Sequence, residues 1–391
     1  MQLDLVQTLS ELIAIPSVNP MGRPVQGPEY LETRLTAHLE RLFQRLGLEY
    51  ERQPVAPERE NIVCRIEGRT DELLLFEVHQ DTVPVEGMTI APFTPELREG
   101  RLYGRGACDV KGGMAAMLAA VARLAAERPS AMPTVVLACT VNEEFGFSGA
   151  ARLVQSWEDG GSRLLPRKPD AAIVAEPTLL DVVVAHKGNV RWTCRARGQA
   201  AHSSQPDRGR NAIYAMSRAA LAVERYQREH LARAAAHPLC GRPTAAATII
   251  TGGVSPNTIP DCCELEIERR VLPDEDPQQV HDEMLAYLAA QQAADDRIEH
   301  QPPHSSIGGL SDRNNGALAA RLSAVVRSLP VPSQSIGVPY GTDASIIAAA
   351  GVPTVVFGPG SIDQAHTADE WIAVEQLEQA AEVLYRFAMN G

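Results

Sequence analysis

The sequence has neither a disulfide framework nor a zinc-knuckle spacing. Its seven cysteines, Cys64, Cys108, Cys139, Cys194, Cys240, Cys262 and Cys263, are odd in number, and no C-x-x-C occurs. That usage fits reduced thiols in a cytoplasmic protein better than a stapled secreted scaffold. Cationic clusters are missing as well. With 36 Lys and Arg against 49 Asp and Glu the net charge is −13, which is a poor match for nucleic acid or an anionic membrane surface. No apolar run approaches the length of a bilayer span. The first residues, MQLDLVQTLSELIAIPSVNP, lack the basic stretch of a secretory signal and read as a helix ending before Pro16. Internal repeats are absent. The glycines of YGRGACDVKGG have neither the G-x-x-x-x-G-K-[ST] nor the G-x-G-x-x-G spacing, which removes a phosphate loop.

What remains is a globular chain of 391 residues, 45% of them hydrophobic, long enough for two cores. Residues 28–46 place leucines at helical spacing before Gly47. NIVCRIEG and ELLLFEVH then read as strands, followed by a helix from about 113 to 126, the strand TVVLACTVN, a short helix near 148–157 and the strand AAIVAEP. Apolar strands alternating with helices predict an α/β domain with a mostly parallel sheet covered on both faces. From about residue 188 the order changes. NVRWTCRARG, the helix GRNAIYAMSRAALAVERYQ, the strands AAATIITGG and CCELEIERRVL, the helix PQQVHDEMLAYLAAQQ and the strand RIEHQ spell β-α-β-β-α-β, a ferredoxin-like unit. The first pattern then returns, with helices at 313–328 and near 343–350, the strand PTVVFG and a closing helix at 371–389. The expected organisation is therefore one domain of 1–187 plus 303–391 with a second, 188–302, inserted into it.

The chemistry-bearing residues fall at one kind of place. His79 and Asp81 end the strand ELLLFEVH, two residues apart and so on one side of it. Asp109 lies in a glycine-rich loop before a helix. Glu143 and Glu144 follow TVVLACTVN, Glu176 follows AAIVA, and His366 lies beyond TVVFG in GPGSIDQAHTADE. Any one of these could be a solvated loop charge. Together they mark the carboxyl edge of the sheet, where open α/β folds bind ligands. Two histidines among several carboxylates suit zinc, cobalt or manganese better than calcium. A single carboxylate can bridge two ions, and adjacent glutamates can divide ligation from proton transfer. Asp81 could orient His79 through its carboxylate.

The ordered series HQDTVP, GRGACDVKGGMAAML, NEEFGFSGA, AEPT, GQAAHSSQP, GRNAI, PNTIP, RRVLP, GTDA and GPGSIDQAHTADE resembles the dinuclear zinc deacylase and exopeptidase family. That family includes acetylornithine deacetylase, succinyl-diaminopimelate desuccinylase, aminoacylase and the glutamate carboxypeptidases. The resemblance runs from about residue 60 to the C-terminus. It implies a dinuclear hydrolase, with His79, Asp109 and Glu176 holding one zinc or cobalt ion and Asp109, Glu144 and His366 the other. Glu143 would be the general base, Asp81 the orienting partner of His79, and the peptide bond after Asp109 would be cis. In the inserted domain His202 would stabilise the oxyanion from across a homodimer. Asn257 and Arg270 would contact substrate, Arg270 as a clamp on its carboxylate. Arg269, one residue earlier, would point to the opposite face of the strand. Thr342 and Asp343 of GTDA would lie near the ions in an undefined role. Two positions depart from the family pattern: Val78 stands where glycine is usual, and Gln80 where a small polar residue is common.

The residues leave several readings open. The implied one is an amidohydrolase acting on a small N-acyl amino acid, nearest to the N-acetylornithine branch. The alternatives are a desuccinylase, a dipeptidase or carboxypeptidase-type exopeptidase, or a metal-free binding or scaffold protein of the same fold. The complete ligand set with Glu143 argues against the last.

Overall fold

Three runs of residues buried from end to end, Leu73–His79, Thr134–Thr140 and Ala171–Val174, fix the middle of the larger sheet. A strand apolar on both faces needs layers above and below it, and parallel pairing through helical crossovers supplies them. The computed structural model describes residues 2–291 and 298–389. It divides into two compact units, one of Met1–Val184, Ser311–Gly337 and Thr342–Gly391, the other of Ala185–Leu310 and Val338–Gly341.

The first unit carries strands β1 (Glu49–Ala56), β2 (Arg59–Ile66), β3 (Leu73–His79), β4 (Thr134–Thr140) and β5 (Ala171–Val174). It also carries the greater part of β6 (Val182–His186) and of the sheet's last edge, Ser335–Val338, and near its end the strand Thr354–Val356. From one edge the order is β1, β2, β4, β3, β5, Thr354–Val356, β6, Ser335–Val338. The four strands from β4 to Thr354–Val356 are parallel, while β1, β2 and β6 pair antiparallel. Helix α1 (Leu5–Ile13) starts at Asp4, whose carboxylate accepts the Gln7 N–H at 2.8 Å. Helix α2 (Thr33–Leu46) stops at Gly47 in the left-handed region. Helix α3 (Lys111–Glu127) is lined with buried Gly, Ala and Met and packs on α1 and on the C-terminal helix Val374–Met389. Three strands of this sheet, β1, β6 and Ser335–Val338, have no counterpart in the sequence reading. β1, EYERQPVA, is polar and contains Pro54, which only an edge strand tolerates. β6, VVVAH, is too short to separate from a loop by pattern.

In the second unit, β7 (Gly188–Arg197), α4 (Ala212–Glu229), β8 (Thr244–Gly252), β9 (Cys262–Val271), α5 (Pro277–Gln291) and β10 (Ile298–His300) follow the β-α-β-β-α-β order. The sheet runs β8, β9, β7, β10, all antiparallel. Gln292 and Arg297, the last residue of the expected helix and the first of the expected strand, lie outside the described residues. Period-two alternation buries Cys263, Leu265, Ile267, Arg269 and Val271 of β9 and turns Glu264, Glu266, Glu268 and Arg270 to the other face. Arg269 meets Glu275 at 3.0 Å while Arg270 meets Glu268 at 3.0 Å. β8 is an edge strand, and a register shift between Ala247 and Ile249 leaves Ile249 and Ile250 62% and 53% exposed.

Buried histidines make the second unit sensitive to acid. His281 sits edge-on to Trp192 at 4.7 Å, and neither of its ring nitrogens makes a hydrogen bond. Trp192 donates its indole N–H to His300. Burial lowers both imidazoles below their ordinary value and brings His186 down to about 4. Below about pH 6.5 the unfolded chain therefore takes up protons that the folded unit refuses, so stability falls as the pH drops toward 4. Urea denaturation followed by tryptophan fluorescence at about pH 7.5 and about pH 5 should show the loss. His281→Phe should flatten it, and an unchanged pH slope in that variant would remove His281 as a cause.

Candidate metal centre

The parallel strands deliver their side chains to one edge. His79 is the last residue of β3, Glu143 and Glu144 follow β4, Glu176 follows β5, and His366 follows Thr354–Val356. Asp109 precedes α3 on a loop whose Gly106 has φ +83; a Cβ there would lie 2.9 Å from Thr82. His366 itself has φ +61.

These groups converge without hydrogen-bonding each other to saturation. Asp109 lies between two imidazoles: one carboxylate oxygen is 3.2 Å from His79 Nε2, the other 3.3 Å from His366 Nε2. Glu176 lies 3.9 Å from His79 Nε2 and Glu144 3.5 Å from His366 Nε2. Ligand atoms of His79, Asp109 and Glu144 fall within 4.8 Å of one another, as do those of His79, Glu143 and Glu176. His79 Nε2, Asp109 Oδ1 and Glu144 Oε1 are buried and make no hydrogen bond, although buried polar atoms are normally paired. Burial raises Glu143, Glu144 and Glu176, and repulsion from neighbouring carboxylates, Asp109 among them for Glu144 and Glu176, adds to it. Burial also opposes the charged form of Asp109, yet His366 and His79 hold its carboxyl well below the usual range. For His79, burial is outweighed by Asp109, Glu143, Glu176 and Asp81, which raise it well above its ordinary value. His366, likewise against burial, is pushed up to about 11 by Asp109 and Glu144. A crowded, buried set of oxygen and nitrogen donors with excess negative charge fits divalent cations.

Asp81 behaves differently from the expectation. His79 Nδ1 bonds the backbone carbonyl of Asp81 at 2.9 Å, whereas the Asp81 carboxylate is 3.7 Å away. That carboxylate instead accepts the N–H groups of Glu143 and Glu144, at 3.1 and 3.2 Å, and the Asn19 amide at 2.7 Å. The carbonyl is closer because the chain turns at the strand end, which frees the carboxylate to hold the glutamate loop. The peptide bond between Asp109 and Val110 is cis. Val78 is buried in the core, and Gln80 ties the strand end to the Cys139 carbonyl and to Thr36.

Thr342 and Asp343 are buried in the first unit. Thr140 Oγ1 lies 2.5 Å from Glu77 and 3.2 Å from Asp343. One hydroxyl has one proton to give, so one of these carboxyls must carry a proton of its own. Burial raises Asp343 to about 7 and Glu77 well above its ordinary value. Sequence reasoning missed Glu77, although an acid two residues before His79 in an apolar strand shares its face. His202 and Asn257 lie together in the second unit, where His202 pairs with Thr258 and Ser203 N–H bonds the Asn257 carbonyl. His202 is exposed, with Nδ1 2.7 Å from Ser204 Oγ.

Glu370 was also missed. It is fully buried and accepts four hydrogen bonds, from Arg105 at 2.7 Å and from the N–H groups of Gly106, Cys108 and Asp109 at 3.0, 2.8 and 2.9 Å. Four residues after His366, it sits in HTADE as an acid that no spacing rule selects. Glu370→Ala would strand a buried guanidinium, so it should cost about 3–5 kcal/mol and lower metal content. Denaturation with metal analysis checks this; wild-type stability and stoichiometry would show that the loop holds without it.

Comparison with known proteins gives the family. Residues 75–390 match the model of peptidase family M20/M25/M40. An acetylornithine deacetylase of Vibrio cholerae serotype O1 is 34% identical over 349 residues, 87% of this chain and 87% of that one. Among solved structures, the M20 family metallo-carboxypeptidase Sso-CP2 from Sulfolobus solfataricus superposes with a TM-score of 0.78 at 18% identity, covering 99% of each chain. A Bacillus subtilis protein described as a dinuclear metal binding peptidase of family M20 gives 0.66 at 18%, covering 98% of this chain and 96% of that one. The chain belongs to peptidase family M20/M25/M40 and is a metal-dependent hydrolase of that family.

Proposed function

We propose that this hydrolase cleaves the amide of a small N-acyl amino acid, N-acetylornithine being the first candidate. The observation that carries the reading is Asp109 with one oxygen toward His79 and the other toward His366, the arrangement a bridging carboxylate needs. His79, Asp109 and Glu176 would hold one divalent ion and Asp109, Glu144 and His366 the other, zinc or cobalt by ligand type. Two ions held there would supply Lewis acidity toward the scissile carbonyl and the attacking water.

The protein's own groups do the rest. Glu143 is buried beside His79 and Glu176 with a raised pKa, which suits a carboxylate that takes the water's proton and returns it to the leaving amine. Asp81 keeps Glu143 and Glu144 in place through their N–H groups. In the inserted unit, the Arg270 fork would grip the substrate carboxylate, Asn257 would line its path, and His202 would donate to the oxyanion of a partner subunit's site. Thr342 and Asp343 would shape the floor of the site. The exposed edge of β8, with Ile249 and Ile250, favours a homodimer paired through the inserted unit. The relatives' acetylornithine deacetylase names favour acyl transfer to water over peptide cleavage. Among the described residues no helix is long and apolar enough to cross a membrane. The free cysteines suit the cytoplasm.

Protein stripped with chelator and repleted with zinc or cobalt should hydrolyse N-acetyl-L-ornithine. No turnover with about two ions bound per chain would move the substrate to other acyl amino acids or dipeptides, and no bound ion would sink the catalytic reading. Glu143→Ala should lower kcat by about 10²–10⁴-fold with both ions retained, and an active variant would refute the base. Ile250→Lys should give a monomer in sedimentation; a dimer that persists would place the interface elsewhere.

A further inference from the structure

Immediately before the glutamate pair stands Asn142, with φ +65. Asparagine tolerates that left-handed conformation better than most residues, and it reverses the chain so that Glu143 and Glu144 enter the cluster. Its polar groups are all engaged. The N–H donates to Glu32 at 3.2 Å, and the carbonyl accepts from Phe147 N–H at 2.7 Å. Side-chain Oδ1 accepts from Arg59 at 2.7 Å and from Asn19 at 3.0 Å, and Nδ2 donates to Ser148 at 2.9 Å.

Arg59 and Glu32 form a buried pair behind it. Arg59 Nε donates to Glu32 at 3.0 Å, and its Nη2 bonds the other carboxylate oxygen. The Glu32 side chain is completely buried. Neither residue is part of the metal cluster. A buried ion pair is weak evidence for stability, because well-packed apolar residues often do as well. Its geometric effect is specific here. The guanidinium fork is rigid, so its Nε and Nη2 on Glu32 and its Nη1 on Asn142 tie three chain segments together. Asn19 completes the frame by donating one amide proton to Asn142 and the other to Asp81, which holds the Glu143 and Glu144 N–H groups.

We infer that Glu32, Arg59 and Asn142 are positioning residues for the general base: the buried ion pair locks the left-handed Asn142 and so aims the Glu143 carboxylate at the reacting water. This rests on the reading of Glu143 given above. The network acts through the backbone at residue 142, so its loss should lower kcat without weakening substrate binding or releasing the ions. A carboxylate displaced by about 1 Å costs roughly 10²-fold in rate.

Asn142→Gly separates the side chain from the backbone, since glycine keeps the positive φ and loses only the lock. In the metal-loaded enzyme kcat should fall by about 10²-fold with KM nearly unchanged, metal stoichiometry intact and faster amide hydrogen exchange at Glu143 and Glu144. Glu32→Leu with Arg59→Met, an apolar replacement of the pair, should fold and show the same split between kcat and KM. In a Glu143→Ala background the glycine substitution should add no further loss, because the group being aimed is gone. A folded Asn142→Gly enzyme with wild-type kcat, a loss that tracks metal release, or additive losses in the double variant would each overturn the inference while leaving the base assignment standing. Wild-type turnover by Glu143→Ala alone would overturn the base assignment and this inference with it.

Discussion

The rest of the first unit is arranged around one carboxylate shared by two imidazoles. Asp109 faces His79 with one oxygen and His366 with the other, and the remaining acids crowd behind it. Burying Glu143, Glu144, Glu176, Asp343 and Glu77 near one another is unfavourable for every one of them as an anion. Two protonated histidines do not balance that charge. Divalent ions would, and His79 Nε2, Asp109 Oδ1 and Glu144 Oε1, buried without hydrogen bonds, are atoms that could ligate them. The architecture follows from that electrostatic problem: acids are affordable at the carboxyl edge only if a cation is resident and the loops cannot relax away from it.

Two devices keep the loops from relaxing. Glu370 gathers Arg105 and the N–H groups of Gly106, Cys108 and Asp109. Asp81 gathers the N–H groups of Glu143 and Glu144, with Arg59 and Glu32 behind Asn142. Each uses a buried carboxylate as an acceptor for backbone donors, which positions chain segments rather than side chains alone. The ligands can then be presented by loops, on which a bare side chain would wander, and still meet with the precision a metal site requires.

Much of this was legible in the sequence because it obeys short-range rules. The apolar runs of β3, β4 and β5 name the parallel sheet, and their ends name His79, Glu143, Glu144 and Glu176. Period two separates Arg269 from Arg270. What escaped the reading obeys no local rule. Glu370 and Arg105 meet across a separation of 265 residues, and nothing in HTADE or GRGAC announces that encounter. Arg59 looks like an ordinary strand residue until Glu32 is seen beside it. Asp81 was misread for a subtler reason. Spacing places it beside His79, but only the turn of the backbone decides whether the carbonyl or the carboxylate faces the ring. The edge strand β1 was missed because edge strands lack the apolar pattern that identifies central ones.

The two imidazoles are not equivalent, and the difference gives the cluster a direction. The His79 side chain is 2% exposed and that of His366 52%. His79 ends a strand buried along its whole length. His366 sits on a loop in the left-handed region, past the end of its strand, with Asp109 and Glu144 against its ring. Solvent therefore reaches the His366 side first. Glu143 groups with His79 and Glu176, and burial raises its pKa. The result is a division of the cluster into a closed side and an open side. Here it arises from the depth at which each strand delivers its histidine.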